Sequence, residues 1–151
     1  MDNFTISITG PREILEKIAQ MPEVARKALW QAGWEAVRNI QQNYLSGSPL
    51  HVRTNNLRGS IHAEPPEGTW PTLSVTIGTN VIYAAIHEYG GDIFPVRAKA
   101  LHFVIDGKHV FTKHVKMPMR PYMRPGVETA GPRMAEIIGS IIKEGLSGGT
   151  P

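Results

Sequence analysis

An acid beside an imidazole is the first place to look for chemistry, and the chain has one such pair, His87-Glu88. A His–Glu dyad can move protons, and a helical His with a second His four residues on can bind zinc. Position 91 is a glycine, so the zinc-protease pattern fails. The other histidines do not repair it. His102 and His109 are expected on one face of adjacent strands, but two ligands fall short of the four a structural zinc takes. His62 and His114 have no spacing that makes them converge. The chain has no cysteine, which excludes thiolate nucleophiles, disulfides and cysteine-based metal sites. It has no phosphate-binding loop, nucleophile elbow or dinucleotide fingerprint. Gly90-Gly91 reads as a helix stop, with one residue in a left-handed conformation. The residue chemistry argues against an enzyme and calls for no metal and no cofactor.

Charge says more than the catalytic residue types do. Between Arg97 and Arg124 lie Arg97, Lys99, Lys108, Lys113, Lys116, Arg120 and Arg124, with Asp106 the single acid. That stretch is +6 within a chain of net +3, leaving −3 for the remainder. A positive surface suits an acidic partner or phosphates. Its other reading is a solvated face whose charges protect an exposed sheet edge. Aromatic residues are not interleaved with these cations as single-strand binders require.

The elements that must carry these residues follow from hydrophobic spacing. At 151 residues, with 41% hydrophobic and 19% charged, the chain is sized for one domain with a real core. No apolar run approaches the ~20 residues of a membrane span, and the N-terminus has no signal-peptide pattern. Phe4, Ile6 and Ile8 alternate as in a strand. Gly10-Pro11-Arg12-Glu13 opens a short helix that ends by Pro22. The strongest helix runs from Pro22 to Tyr44, with Leu29, Gly33, Ala36, Val37, Ile40 and Tyr44 on one face. Trp30 and Trp34 flank that stripe, as core residues or as interface anchors.

Ser46–Gly59 is polar and aperiodic. It reads as a mobile loop with one helical turn at Asn55–Arg58, a segment expected to order on assembly. Ser60–Glu64 and Leu73–Gly78 are predicted to pair antiparallel. Ile82–Tyr89 is predicted as a short helix, followed by a connector containing Pro95. Ala100–Ile105 and Lys108–Val115 flank Asp106-Gly107, a strong type I′ hairpin signal. Both faces of that hairpin are partly apolar, so a helix or another subunit is expected to cover them. Two prolines in Met117–Pro121 rule out a central strand there. A C-terminal helix is predicted from about Gly126, broken or kinked near Gly131-Pro132, with a frayed tail at Ser147–Pro151. The order of elements is a two-layer α+β pattern.

Four segments, in this order and spacing, resemble one family. They are Thr54–Ile61 (TNNLRGSI), Tyr83–Gly91 (YAAIHEYGG), Lys99–Phe103 (KALHF) and Arg120–Glu128 (RPYMRPGVE). The chain resembles the tail-completion and head–tail joining proteins of tailed bacteriophages and prophages. It departs from the usual pattern at Gly126, where alanine is more common, and at Thr54-Asn55-Asn56, where many relatives have Thr-Gly. The resemblance implies a small, mostly antiparallel sheet packed against one long helix, with an additional C-terminal helix. It implies a non-enzymatic virion component, assembled in the bacterial host cytoplasm. That component forms a homo-oligomeric ring, a hexamer, against neck or connector and tail-tube proteins.

On this reading Arg120, Pro121, Tyr122 and Arg124 form an interface arm, or else tether the C-terminal helix to the sheet within one subunit. Trp30 and Trp34 are further interface candidates. Arg97, Lys99, Lys113 and Lys116, with Arg120 and Arg124, are the residues expected to face DNA if the ring contacts it. The +6 stretch facing the −3 remainder suits head-to-tail contacts between copies.

Overall fold

The computed structural model describes residues 3–47, 50 and 55–148. The order is β1 (Phe4–Ser7), α1 (Arg12–Ala19), α2 (Pro22–Asn39), a π-helical turn (Ile40–Tyr44), α3 (Asn56–Ser60), β2 (His62–Ala63) and β3 (Ser74–Gly78). Then follow α4 (Ala84–Tyr89), β4 (Gly91–Ile93), β5 (Leu101–Ile105), β6 (Lys108–Thr112), β7 (Val115–Met117) and α5 (Met123–Ser147). The class is α+β, with every strand pair antiparallel.

The body is built around α2. A three-stranded sheet of order β1-β3-β2 packs on one side of it and α5 on the other. Being covered on two sides requires small residues, and α2 supplies them. Ala25, Ala28, Ala32, Gly33 and Ala36 are buried together with Leu29 and Val37. β3 is the middle strand, so Val75 and Ile77 are fully enclosed. The predicted pairing of β2 with β3 is present, and β1 completes the sheet from the other edge. At one end of α2, Arg26 donates to the Pro66 and Gly68 carbonyls at 2.8 and 2.7 Å. This ties the β2–β3 connection to the helix.

α5 differs from expectation in two ways. It begins at Met123, one turn earlier than periodicity suggested, and it runs unbroken through Pro132. A proline inside a helix costs about 3 kcal/mol. Ala130, Met134, Ile141 and Ile142 are buried on the core face of the same helix. Burying one such large side chain gains about 1.5–3 kcal/mol, so packing outweighs the break. Pro132 itself is exposed.

The two long helices meet closely at Gly126. A Cβ there would lie 2.4 Å from Ile40 Cγ1 and 3.3 Å from Ile40 Cα. The same crossing is latched by Asn39 Nδ2, which donates to the Gly126 carbonyl at 2.6 Å and to Thr129 Oγ1 at 2.8 Å. Alanine at this position has no room unless Ile40 or the helix shifts.

The loop expected at Ser46–Gly59 lies partly outside the described residues, as do the last residues of the expected frayed tail. Within the described part, the single turn expected near Asn55 is the helix α3, and Leu50 is buried. Gln41 Nε2 donates to the Arg58 and Ile61 carbonyls at 3.0 and 3.3 Å, which fixes the end of α3 beside α2.

The Gly126 contact yields a direct prediction. Gly126→Ala forces Ile40 or the helix axis to shift and lowers stability by about 1–3 kcal/mol. Urea unfolding of the two proteins measures it, and equal midpoints would show that the crossing tolerates a methyl group.

Candidate assembly interface

Glu88 is 4% exposed, and its carboxylate meets the first turn of α5. Oε2 accepts from the backbone N–H of Tyr122 (2.7 Å) and Met123 (2.8 Å), and Oε1 accepts from that of Arg124 (3.0 Å). Three backbone N–H groups at the helix start are satisfied at once, and a negative charge sits at the positive end of the helix dipole. This is why α5 starts at Met123. The segment itself provides no capping side chain, since Tyr122 occupies the N-cap position. Pro125 is the third helical residue, where a missing N–H costs nothing.

The capping contact belongs to a longer seam. The Arg120 N–H donates to the His87 carbonyl at 2.8 Å. Gly90, at φ +69°, ends α4 and lies so close to the other side that a Cβ would meet Met119 N at 2.7 Å and Met117 O at 2.9 Å. Gly91 then pairs with Met117 as β4 meets β7. The HEYGG and MPMRPYMR segments are thus two sides of one zipped strip. Tyr122 follows Glu88 inward and is 1% exposed. Of the two roles weighed for Tyr122, this burial is the geometry of the tether within the chain.

His87 is part of the seam, and the carboxylate of its neighbour Glu88 is engaged elsewhere. Both Glu88 oxygens are directed at α5. His87 Nδ1 is buried without a hydrogen-bond partner, and the ring stands edge-on to Tyr83 at 6.0 Å. Burial, with the Arg120 guanidinium nearby, holds its pKa below 6.5. No group of three or more histidine or acidic side chains converges on a metal-sized site among the described residues.

Beyond the seam the chain becomes an arm of two short ladders, β4–β7 and β5–β6. The hairpin register is as predicted, with Ile105 opposite Lys108, Phe103 opposite Val110 and His102 opposite Phe111. Asp106 and Gly107 both have positive φ, +49° and +77°, as the type I′ turn needs. The expected long strand Lys108–Val115 is instead two, because the ladder breaks at Lys113-His114 and resumes with β4 as partner. β4 itself falls in a stretch predicted to be connector. His114 Nε2 lies 2.5 Å from Asp92 Oδ1, and its ring stacks on Phe94 at 4.8 Å. His102 Nε2 and His109 Nδ1 share a hydrogen bond of 2.8 Å, and His102 stacks on Phe111 at 4.6 Å.

Of the two covers expected for this hairpin, a helix or another subunit, the helix is absent among the described residues: Val104 is 52% and Phe111 68% exposed. β4 pairs with β7 and β5 with β6 in two separate ladders, and the helices pack around α2 instead. Among the described residues, nine of the twelve exposed large hydrophobic side chains lie between Ile82 and Met119, so this apolar surface is concentrated on the arm and its root. Ile93, Leu101, Phe103, Ile105, Val115 and Met117 line an open trough across both ladders.

Arg97, Lys99, Lys108, Lys113, Lys116, Arg120 and Arg124 are all exposed, and none forms an ion pair among the described residues. Pro121 is exposed as well. Trp34 is 40% exposed, whereas Trp30 packs against the core; their rings are 5.8 Å apart and perpendicular. Sequence reasoning missed the capping role of Glu88 and the exposed Ile82, Phe94, Val96 and Met119. One signal was legible for the cap: a helix start with no Ser, Thr, Asp or Asn beside it needs its cap from elsewhere.

Comparison with known proteins decides the relationship. The profile of the phage virion morphogenesis family matches residues 30–146, from the middle of α2 to the end of α5. The chain belongs to that family. No curated protein and no solved structure matches it. This virion morphogenesis protein is therefore a phage virion assembly protein, with the seam and the arm both inside the matched region and β1 and α1 before it. No helix among its described residues is long and apolar enough to cross a membrane.

Two outcomes follow. Glu88→Gln weakens three charge-assisted bonds and lowers stability by about 1–2 kcal/mol, and Glu88→Ala by more than ~2 kcal/mol. Amide exchange at Met123 and Arg124 should accelerate in both, and unchanged exchange would contradict the capping role. Because His87 titrates lower in the folded chain than when unfolded, the unfolded state binds more protons just below pH 6.5. Stability conferred by its neutral form is complete above that pH and declines as pH falls toward the folded pKa. Thermal melts from pH 7.5 to 5.5 should show a slope that His87→Gln reduces.

Proposed function

We propose that this virion assembly protein is a tail-completion or head–tail joining component, and that it acts structurally rather than as an enzyme. Copies assemble head to tail into a hexameric ring against neck or connector and tail-tube proteins in the virion. The observation that supports this most is the arm, which concentrates exposed apolar and basic side chains beyond a buried, closely tied root. An isolated two-stranded ribbon is at best marginally stable in water, so a surface of this kind gains from a neighbour. Arg120, Pro121 and Arg124 at the arm's root, with Trp34 on the body, are available for such contacts; Trp30 backs Trp34.

A second reading is favoured by the unpaired cations. Arg97, Lys99, Lys113, Lys116, Arg120 and Arg124 would face DNA passing through the ring. Binding through phosphates releases counterions and so weakens steeply with salt.

Light scattering with negative-stain imaging tests the ring, with the protein alone and with purified heads and tails. The expected result is a closed oligomer, alone or on the particle. Single copies under both conditions would overturn the proposal. Titration with duplex DNA at low and high salt tests the second reading, and no binding at low salt would remove it.

A further inference from the structure

The β5–β6 hairpin has two free edges. Its two-residue turn makes 105–108, 103–110 and 101–112 the pairs that exchange backbone hydrogen bonds. His102 and Val104 on β5, and His109 and Phe111 on β6, then turn their N–H and C=O groups outward. No other backbone group among the described residues pairs with them.

Exposed edges are normally protected by lysine, proline, bulges or a covering element. This chain has such residues immediately outside the hairpin: Pro95, Arg97 and Lys99 before it, and Lys113, Lys116 and Pro118 after it. Within 101–112 there is no proline, and the only charges are Asp106 and Lys108 at the turn. The two edges also match. Each presents two outward-facing residues at the same spacing, and both strands have five residues.

We infer that the hairpin is a two-sided pairing surface for a second copy of the same chain, the β6 edge of one copy adding antiparallel to the β5 edge of the next. This rests on the ring reading and names its contact. Strand addition of this kind satisfies the outward backbone groups and lets the apolar faces continue from copy to copy. It is heterologous, so repetition continues past a pair, and it closes into a ring when the rotation between copies closes. Charge agrees at the tip, where Lys108 of one copy meets Asp106 of the next. At the root the same alignment brings Lys99 of one copy toward Lys113 of its neighbour. Salt screens both the attraction at the tip and the repulsion at the root.

Proline at an outward position removes an edge donor and leaves the hairpin's own bonds in place. Val104→Pro therefore blocks the β5 edge and Phe111→Pro the β6 edge. In sedimentation velocity each variant should remain monomeric. An equal mixture should form dimers and stop, because one live edge of each kind is left. Val104→Ala, which keeps the N–H, should still assemble. In the wild type, amides of His102, Val104, His109 and Phe111 should exchange at least ~100-fold more slowly once assembled. That measurement decides the matter even if a proline variant fails to fold. Rings that form in both proline variants, or outward amides exchanging equally fast in both states, would overturn edge pairing and leave the ring itself standing. Assembly lost with Val104→Pro but kept with Phe111→Pro would mean a twofold β5–β5 contact, which overturns the head-to-tail form. Wild-type copies that stay single in solution and on particles would overturn the ring reading together with this inference.

Discussion

A single buried carboxylate determines how the two halves of this protein meet. Glu88 leaves α4 and accepts from three backbone N–H groups at the start of α5. Desolvating a carboxylate is costly unless its bonds to water are replaced. Here the replacements are donors that would themselves be orphaned at a helix start. Each side resolves the other's deficit, so the contact specifies a place as well as contributing stability. The chain reversal at Gly90, the Arg120–His87 backbone bond and the burial of Tyr122 follow in register from it.

The family segments take on a physical meaning in this arrangement. YAAIHEYGG and RPYMRP are separated by the whole arm in sequence but lie side by side in space. One supplies the cap, the stop and the left-handed glycine. The other supplies a proline-restricted approach and a helix start without a cap of its own. Gly126 adds the third constraint, since it lets α5 settle against Ile40 once its start is fixed.

What was legible in the sequence was what depends on near neighbours in the chain. Alternation marked β1, β2 and β3, and helical spacing marked α2. The Asp106-Gly107 pair set the hairpin register residue for residue. What was not legible depends on distant partners. The start of α5 is governed by a residue 34 positions upstream of Tyr122. Its passage through Pro132 depends on burial against α2. β4 is three residues long and exists because β7 lies beside it. The hairpin's two half-apolar faces were visible, but sequence spacing could not say that its own chain leaves them open.

The zipped strip between α4 and α5 also has a mechanical consequence. The arm projects from a root where β4 and β7 are bonded to each other and the Glu88 contact ties α4 to the start of α5. A force applied at the Asp106-Gly107 tip is carried down the ladders into the axis of the 25-residue helix α5. The stretches of the arm without ladder pairing are 94–100 and Lys113-His114, away from the root. Strain imposed on the tip is therefore taken up in the arm or transmitted whole to the body, which makes the protein a stiff bracket rather than a hinge.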